Sequence, residues 1–130
     1  MKNNDNATPS AANLGSKMLP QPGDKILVMK EPWLSLILSG AKTVELRGAA
    51  LKGGKYFLGY KQKIYGVIET GHPYFIESDQ QFRGLRPLHR VIGGRPYKNT
   101  FGLPIVSCRT IKPHVPYIHR RGAIGIVKYR

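Results

Sequence analysis

The sequence predicts a small, mostly β domain of the α+β class, with one or two short helices and strands that curl into a barrel. The chain has 130 residues, 41% of them hydrophobic, which suffices for one modest core. Short runs of strand-forming residues recur along it, and turn signals such as Gly53-Gly54 separate them. Short strands with turns between them are typical of small barrels.

The first half of the chain contains the firmest helix signal. Residues 26–29 form a short apolar run, consistent with a buried strand. Residues 33–38 carry apolar side chains at helical spacing, and they lie between Pro32, which is tolerated at a helix start, and Gly40, which stops a helix. We therefore predict a two-turn helix packed on the core. Further strands are predicted over residues 43–47, 55–61 and 64–70.

The second half has weaker signals. Ser78 or Asp79 is a candidate cap of a second helix through about Leu85, which Gly84 and Pro87 make short or broken. Residues 93–103 have the composition of a loop, and two closing strands are predicted over residues 105–111 and 123–129. The prediction is thus five or six strands, one firm helix and one weaker helix.

The N-terminal segment differs in composition from the rest. Residues 1–23 are rich in Asn, Ala, Ser, Pro and Gly without a sustained apolar pattern, which predicts a disordered tail before a folded domain at 24–130. The sequence has no secretory apolar region and no run of about 20 apolar residues. Its single cysteine, Cys108, cannot form an internal disulfide. We expect a cytoplasmic protein, or a nuclear one in a eukaryote.

Charge indicates the class of partner. The chain has 21 Lys and Arg against seven Asp and Glu, a net charge of +14. Such an imbalance attracts polyanions, of which nucleic acid is the first candidate and an anionic membrane the second. The alternative is a basic protein without a dedicated polyanion. We predict an RNA partner and no membrane contact, and the sequence leaves the oligomeric state open.

Three charged residues near the predicted helix form the candidate site. In the strand at 43–47, alternation places Glu45 and Arg47 on one face, opposite Val44 and Leu46. Arg47 offers a planar fork suited to phosphate or a base edge, and Lys42 offers a mobile point charge. The alternative is a structural ion pair on the barrel wall, although exposed pairs contribute only about 0–1 kcal/mol.

Other basic residues extend the predicted nucleic-acid interface. Arg83, Arg86 and Arg90 have helical spacing and would form a stripe, which Pro87 splits. Basic residues interleaved with tyrosines suit single-stranded RNA, and four more lie in predicted loops: Arg95, Lys98, Arg120 and Arg121. The alternative for such runs is a solvated face. Trp33 is predicted to be a core anchor rather than a stacking surface.

Residues 32–47, read as PWLSLILSGAKTVELR, resemble the signature of ASCH domains, in which Pro-Trp precedes Gly-x-Lys-x-x-Glu-x-Arg. Four fixed residues in that window arise by chance roughly once per 10⁵ positions. Residues 116–123 also resemble the last turn before the final strand of these domains. The resemblance spans residues 25–128.

The resemblance implies a PUA-like β-barrel with a cleft beside the motif. Most ASCH domains are proposed RNA-binding modules, and some have been proposed to cut RNA. One branch hydrolyses N4-acetylcytidine with a Lys, a Thr and a Glu. Lys42 matches that Lys and Glu69 matches that Glu, whereas Glu45 stands where that branch has Thr. If the protein is an enzyme, the resemblance implies Lys42, Glu45 and Glu69 as its catalytic residues.

No metal or cofactor site is predicted. The four histidines and one cysteine lack metal-ligand spacing, and no phosphate loop or nucleophile elbow is present. The first hypothesis is therefore an RNA- or nucleotide-binding module with a basic cleft. The alternative is a small hydrolase acting on a modified nucleoside or on RNA. A protein-interaction adaptor is a third possibility, and the sequence leaves open whether the protein is an enzyme.

Overall fold

A computed structural model describes residues 19–120, 122–123 and 125–130. Within them the chain is mostly β, and it confirms the predicted α+β barrel class. The described elements, in chain order, are β1 (Lys25–Val28), α1 (Trp33–Leu38), β2 (Val44–Arg47), β3 (Lys55–Tyr60), β4 (Lys63–Thr70), β5 (Tyr74–Phe75), α2 (Asp79–Gly84), α3 (Arg86–His89), β6 (Phe101–Pro116) and β7 (Ile126–Lys128).

The strands form one curled sheet, a half-barrel. Its order is β2-β6-β4-β3-β1-β7, with β5 pairing to β6 beside β2. All pairings are antiparallel except that of β1 with β3. The long strand β6 pairs with β2 and β5 through its first residues and with β4 through the remainder. It therefore joins the β2 end of the sheet to the rest.

The core lies on both faces of this sheet, as strand alternation requires. In β3, Phe57 packs with Ile26 and Val127 on one face, while Tyr56 and Leu58 pack with the apolar face of α1 on the other. Gly66 of β4 lets α1 approach closely, because an added Cβ would lie 2.8 Å from Leu38 Cδ2. The predicted helix at 33–38 is thus confirmed and is held against the sheet.

Helices α2 and α3 cover β2. Phe82 of α2 packs with Val44 and Leu46, so β2 is buried. The predicted cap is Ser78, whose side chain accepts a hydrogen bond from the Gln81 main-chain N–H at 3.1 Å. Every helix is short, and in the described part of the chain none has the length and apolar character needed to cross a membrane.

The least accurately predicted region is the start of β6. Residues 101–103 were expected to be loop, and β5 was not predicted. Gly102 and Pro104 disfavour a strand locally, yet Gly102 is required here, because an added Cβ would lie 2.6 Å from Tyr74 Cζ of β5. The closing strand β7 is shorter than the predicted 123–129. Tertiary pairing therefore overrides local propensity.

The two ends of the described chain meet. The Gly23 N–H donates to the Tyr129 carbonyl at 2.7 Å, and the Tyr129 N–H donates to the Asp24 carbonyl at 2.8 Å. This contact lies at the predicted start of the folded domain, residue 24. Of the predicted disordered tail, residues 1–18 lie outside the described residues.

Candidate functional site

A cavity of about 830 Å³ lies beside β2. Its walls come from the end of β1, the start of α1, β2 with the loop after it, and the loops that precede β6 and β7. We call it the cleft. Its charged lining residues are Lys30, Lys42, Glu45 and Arg47, and its aromatic lining residues are Trp33, Tyr97 and His119.

The cleft lies where β2 approaches the β1–β7 end of the sheet, and Arg47 connects the two. Its Nη2 donates to the Val28 carbonyl at the end of β1 at 3.0 Å, and it lies 3.4 Å from Met29 Sδ. The two strands are not neighbours in the sheet order. A charged side chain therefore joins parts of the half-barrel that do not pair directly.

Glu45 lies between two cations, Lys42 and Arg47, and contacts both at the cleft. Arg47 donates through Nε and Nη2 to Glu45 Oε2 at 2.9 and 2.8 Å. Lys42 Nζ lies 3.7 Å from Glu45 Oε1. The three side chains are only 1%, 8% and 15% exposed for Lys42, Glu45 and Arg47. The structure brings together the three residues named from the sequence, and Glu45 and Arg47 share a face of β2 as alternation requires.

Lys42 has a second set of partners. Its Nζ donates to the His89 carbonyl at the end of α3 at 2.6 Å, and it lies 5.2 Å from the centre of the Trp33 ring. Burial lowers the pKa of Lys42, the neighbouring Glu45 carboxylate opposes this shift, and Arg47 adds to it. The ammonium thus stabilises a helix C-terminus while facing the cleft.

Aromatic side chains form other parts of the cleft wall. Tyr97 packs over Gly48, where an added Cβ would lie 3.1 Å from Tyr97 Cδ1. The His119 Nε2–H donates to the Ala123 carbonyl at 2.7 Å. Trp33 is half-buried: it packs against the α1 core and also lines the cleft. The expectation that Trp33 is only a core anchor therefore needs correction.

Glu69 lies elsewhere. It is exposed on β4, opposite Lys55 of β3 and Ser107 of β6 in the register, and it does not line the cleft. The interpretation of Glu69 as the catalytic partner of Lys42 therefore has no support in the geometry. The cleft carboxylate in the described chain is that of Glu45.

Two arginines predicted to bind nucleic acid, Arg86 and Arg95, support the helical segment instead, as does Arg90 of the predicted stripe. Arg86 donates to two carbonyls of the loop after α3, and Arg90 donates to the Ala41 carbonyl at 3.1 Å. Arg95 donates to Asp79 Oδ1 at 3.0 Å and to a carbonyl before α2. These guanidinium groups hold loops and helices in place, and none of them lines the cleft.

The other predicted basic residues are dispersed. Arg83, Lys98 and Arg120 are exposed and lie outside the cleft. Arg121 lies outside the described residues. The predicted stripe is split, because α2 ends at Gly84 and a separate helix begins two residues later.

His89 has a structural role. It is fully buried, and it accepts a hydrogen bond from the Val91 N–H at Nδ1, 2.9 Å, so the proton is on Nε2, which donates to the Phe82 carbonyl at 2.8 Å. Burial lowers the pKa of His89, and the positive charge of Lys42 acts in the same direction. In the described ranges, no group of three or more His, Cys, Asp or Glu side chains could hold a metal ion.

Sequence reasoning missed part of the cleft. Lys30, His119 and the Val28 carbonyl were not named as site groups, and Tyr97 was noted only as a loop aromatic. The resemblance of residues 116–123 to the ASCH pattern was the available signal for His119. Nothing in the local sequence indicates that the loop at 96–97 meets β2.

No model of a protein family matches the chain, and no curated protein is significantly similar to it in sequence. A search of solved structures identifies a similar fold, the crystal structure of a serine-to-alanine mutant of ZmASCH from Zymomonas mobilis. The match covers 86% of this chain and 92% of that chain, with a TM-score of 0.53 and 12% sequence identity. The chain therefore has the fold of an ASCH domain.

Proposed function

We propose that this protein is an RNA- or nucleotide-binding module that holds one nucleotide in the cleft. The observation that carries the proposal is the buried Lys42–Glu45–Arg47 cluster beside a cavity of about 830 Å³. A buried ion pair adds little net stability to a fold, because the cost of desolvating its charges offsets much of their attraction. Charged groups that line a cavity are better explained by a polar ligand.

The cluster offers both kinds of hydrogen-bonding partner that a base edge needs. A carboxylate accepts from the amino group of cytosine, and cationic donors pair with neighbouring ring nitrogen or carbonyl atoms. Glu45 supplies the acceptor, and Lys42 and Arg47 supply donors. Trp33 and Tyr97 provide ring faces on which a base can stack.

Charge outside the cleft supports a polyanionic ligand. From Gln80 to Arg130 the sequence contains no Asp or Glu. A segment with many cations and no acids of its own attracts phosphate groups and releases counterions on binding. The cleft would then bind one nucleotide, while basic residues on the remaining surface would contact the rest of the RNA strand.

Binding of single-stranded RNA at several salt concentrations tests the proposal. If about four phosphates are neutralised, log affinity falls against log salt with a slope near −3. Arg47→Ala should weaken binding by about tenfold or more, whereas Arg83→Ala, at an exposed position outside the cleft, should change it only about twofold. Salt-independent binding, or equal losses in the two variants, would contradict a discrete cleft.

A second function has one favourable observation. The Lys42 ammonium lies 3.7 Å from the Glu45 carboxylate in a cavity that can admit a nucleoside. In hydrolysis of an N4-acyl cytidine, Glu45 would take a proton from the attacking water and pass it to the leaving N4. Lys42 would stabilise the oxyanion that forms on the acyl oxygen.

Incubation with N4-acetylcytidine, with cytidine and acetate as the measured products, tests this second function. Turnover should be lost in Glu45→Gln and kept in Glu69→Gln, because Glu69 does not line the cleft. Absence of turnover in the native protein, or its loss in Glu69→Gln alone, would reject this mechanism.

A further inference from the structure

A second group of aromatic and basic side chains lies outside the cleft. The centre of the Tyr65 ring lies 6.2 Å from that of Tyr60 and 4.0 Å from that of His114. Lys61 Nζ lies 5.4 Å from the centre of the Tyr60 ring. We call these four residues the aromatic row, and none of them lines the cleft.

A large β-bulge creates the row. Ile64 of β4 pairs with Val115 of β6, whereas Gly66 pairs with Thr110, so residues 111–114 bulge from β6 opposite Tyr65. Bulges re-aim side chains and are common next to functional sites. This one brings His114 against Tyr65 and leaves His114 exposed, while Tyr65 itself is half-buried.

The sequence segments that carry the row contain charges of one sign. Between Leu46 and Ile68, and again after Asp79, the sequence contains no acidic residue. Lys61, Lys63 and Lys112 are all exposed. Packing explains why Tyr60 and Tyr65 are half-buried. It does not explain the exposed His114 ring, which lies in a segment that contains lysines and no acidic residue. Stacking rings interleaved with cations suit single-stranded nucleic acid.

We propose that the aromatic row is a second contact surface for single-stranded RNA. Bases next to the nucleotide in the cleft stack on the exposed His114 ring, which Tyr65 supports from behind, and Lys61 contacts the phosphate backbone. The choice of RNA as the partner rests on the proposed function. Beyond His114 the chain reaches the cleft at His119, five residues later, which spans at most about 18 Å. One short RNA strand can therefore contact both surfaces.

The test compares cytidine 5′-monophosphate with a 12-nucleotide oligocytidylate as ligands. The double variant Lys61→Ala/His114→Ala should bind the oligonucleotide at least about fivefold more weakly and the mononucleotide as the native protein does. Arg109→Ala is the matched control. Arg109 is exposed on β6 but pairs with Val67, which packs on the opposite face from Tyr65, so the expected loss is at most about twofold.

If the double variant bound the oligonucleotide with native affinity, the proposal that the aromatic row contacts RNA would be overturned. Equal losses for both ligands would also overturn it, because the row would then act through the cleft. Thermal unfolding checks that the variant is folded. If it is not, charge reversal at the exposed Lys61 and Lys112 replaces it, with the same expected result. Native binding by Arg47→Ala would instead reject the cleft and leave the row result intact.

Discussion

The cleft and the helical segment over β2 use arginine in different ways. In the cleft, Arg47 is largely buried and bonds a carboxylate that is itself buried beside Lys42. In the helical segment, Arg86, Arg90 and Arg95 donate to main-chain carbonyls or to the exposed Asp79. The arginines of the helical segment are structural ties, whereas Arg47 both ties β2 to the end of β1 and lines the cleft as a potential ligand contact. Desolvation and a neighbouring cavity make the difference.

Loss of the cleft carboxylate should have the largest effect. Glu45→Ala leaves Lys42 and Arg47 buried without their anion, which costs about 3–5 kcal/mol of unfolding free energy. Asp79→Ala removes the partner of Arg95, but that carboxylate is 65% exposed, so we expect at most about 1 kcal/mol. Urea unfolding measures both, and equal losses would remove the distinction between the two regions.

Conservative replacement of the arginines should sharpen the same contrast. Arg47→Lys loses the fork that reaches both Glu45 and the Val28 carbonyl, and we expect a loss of about 1.5–3 kcal/mol in unfolding free energy. Arg95→Lys should change it by about 0.5 kcal/mol or less, because its ion pair lies at the surface. Urea unfolding at one pH compares the two variants. If Arg47→Lys left the unfolding free energy unchanged, the cleft would be only loosely held by Arg47.

His89 connects the two regions, because its ring lies in the helical core and its carbonyl accepts from Lys42. The folded pKa of His89 is lowered, so below pH about 6.5 the unfolded state binds more protons. Its contribution to stability is therefore complete above that pH and falls as the pH falls, by at most about 1.4 kcal/mol per pH unit.

Urea unfolding between pH 7.5 and 5 measures this dependence. Nitrogen NMR of the His89 ring checks the cause directly. A ring that remains neutral with its proton on Nε2 at pH 6 supports the assignment, and titration at the ordinary value would contradict it.

The smallest effect should come from the cleft wall. Gly48→Ala places a Cβ 3.1 Å from the Tyr97 ring, which is half-exposed and can shift. We expect less than about 1 kcal/mol in nucleotide affinity, or about fivefold. Gly94→Ala in the loop near Tyr97 is the control, since its Cβ meets nothing within 4 Å, and calorimetric titration compares them. A loss well above fivefold in Gly48→Ala, or a similar loss in Gly94→Ala, would contradict this expectation.

The contiguous segment 32–47 could be predicted because its information is local. Helical spacing and strand alternation place α1, and they put Glu45 and Arg47 on one face of β2. The partners of these residues could not be predicted. The His89 carbonyl beside Lys42 depends on how α3 packs on β2, 47 residues along the chain.

Distant contacts also explain the incorrect expectations. Glu69 was assigned by its position along the chain, but its side chain lies exposed on β4 and outside the cleft. Gly102 and Pro104 made the start of β6 look like loop, whereas pairing with β2 and β5 makes it strand. In each case a tertiary contact, absent from the local pattern, decides the outcome.

The chain contains a single tryptophan, and Trp33 lines the cleft. Its fluorescence therefore reports directly whether a ligand enters. We expect oligocytidylate to produce a saturable change in Trp33 emission that follows its binding curve, and Arg47→Ala to weaken the binding and the emission change together. RNA that binds with full affinity while Trp33 emission stays constant, and that binds Arg47→Ala equally well, would show that the cleft is not the binding site.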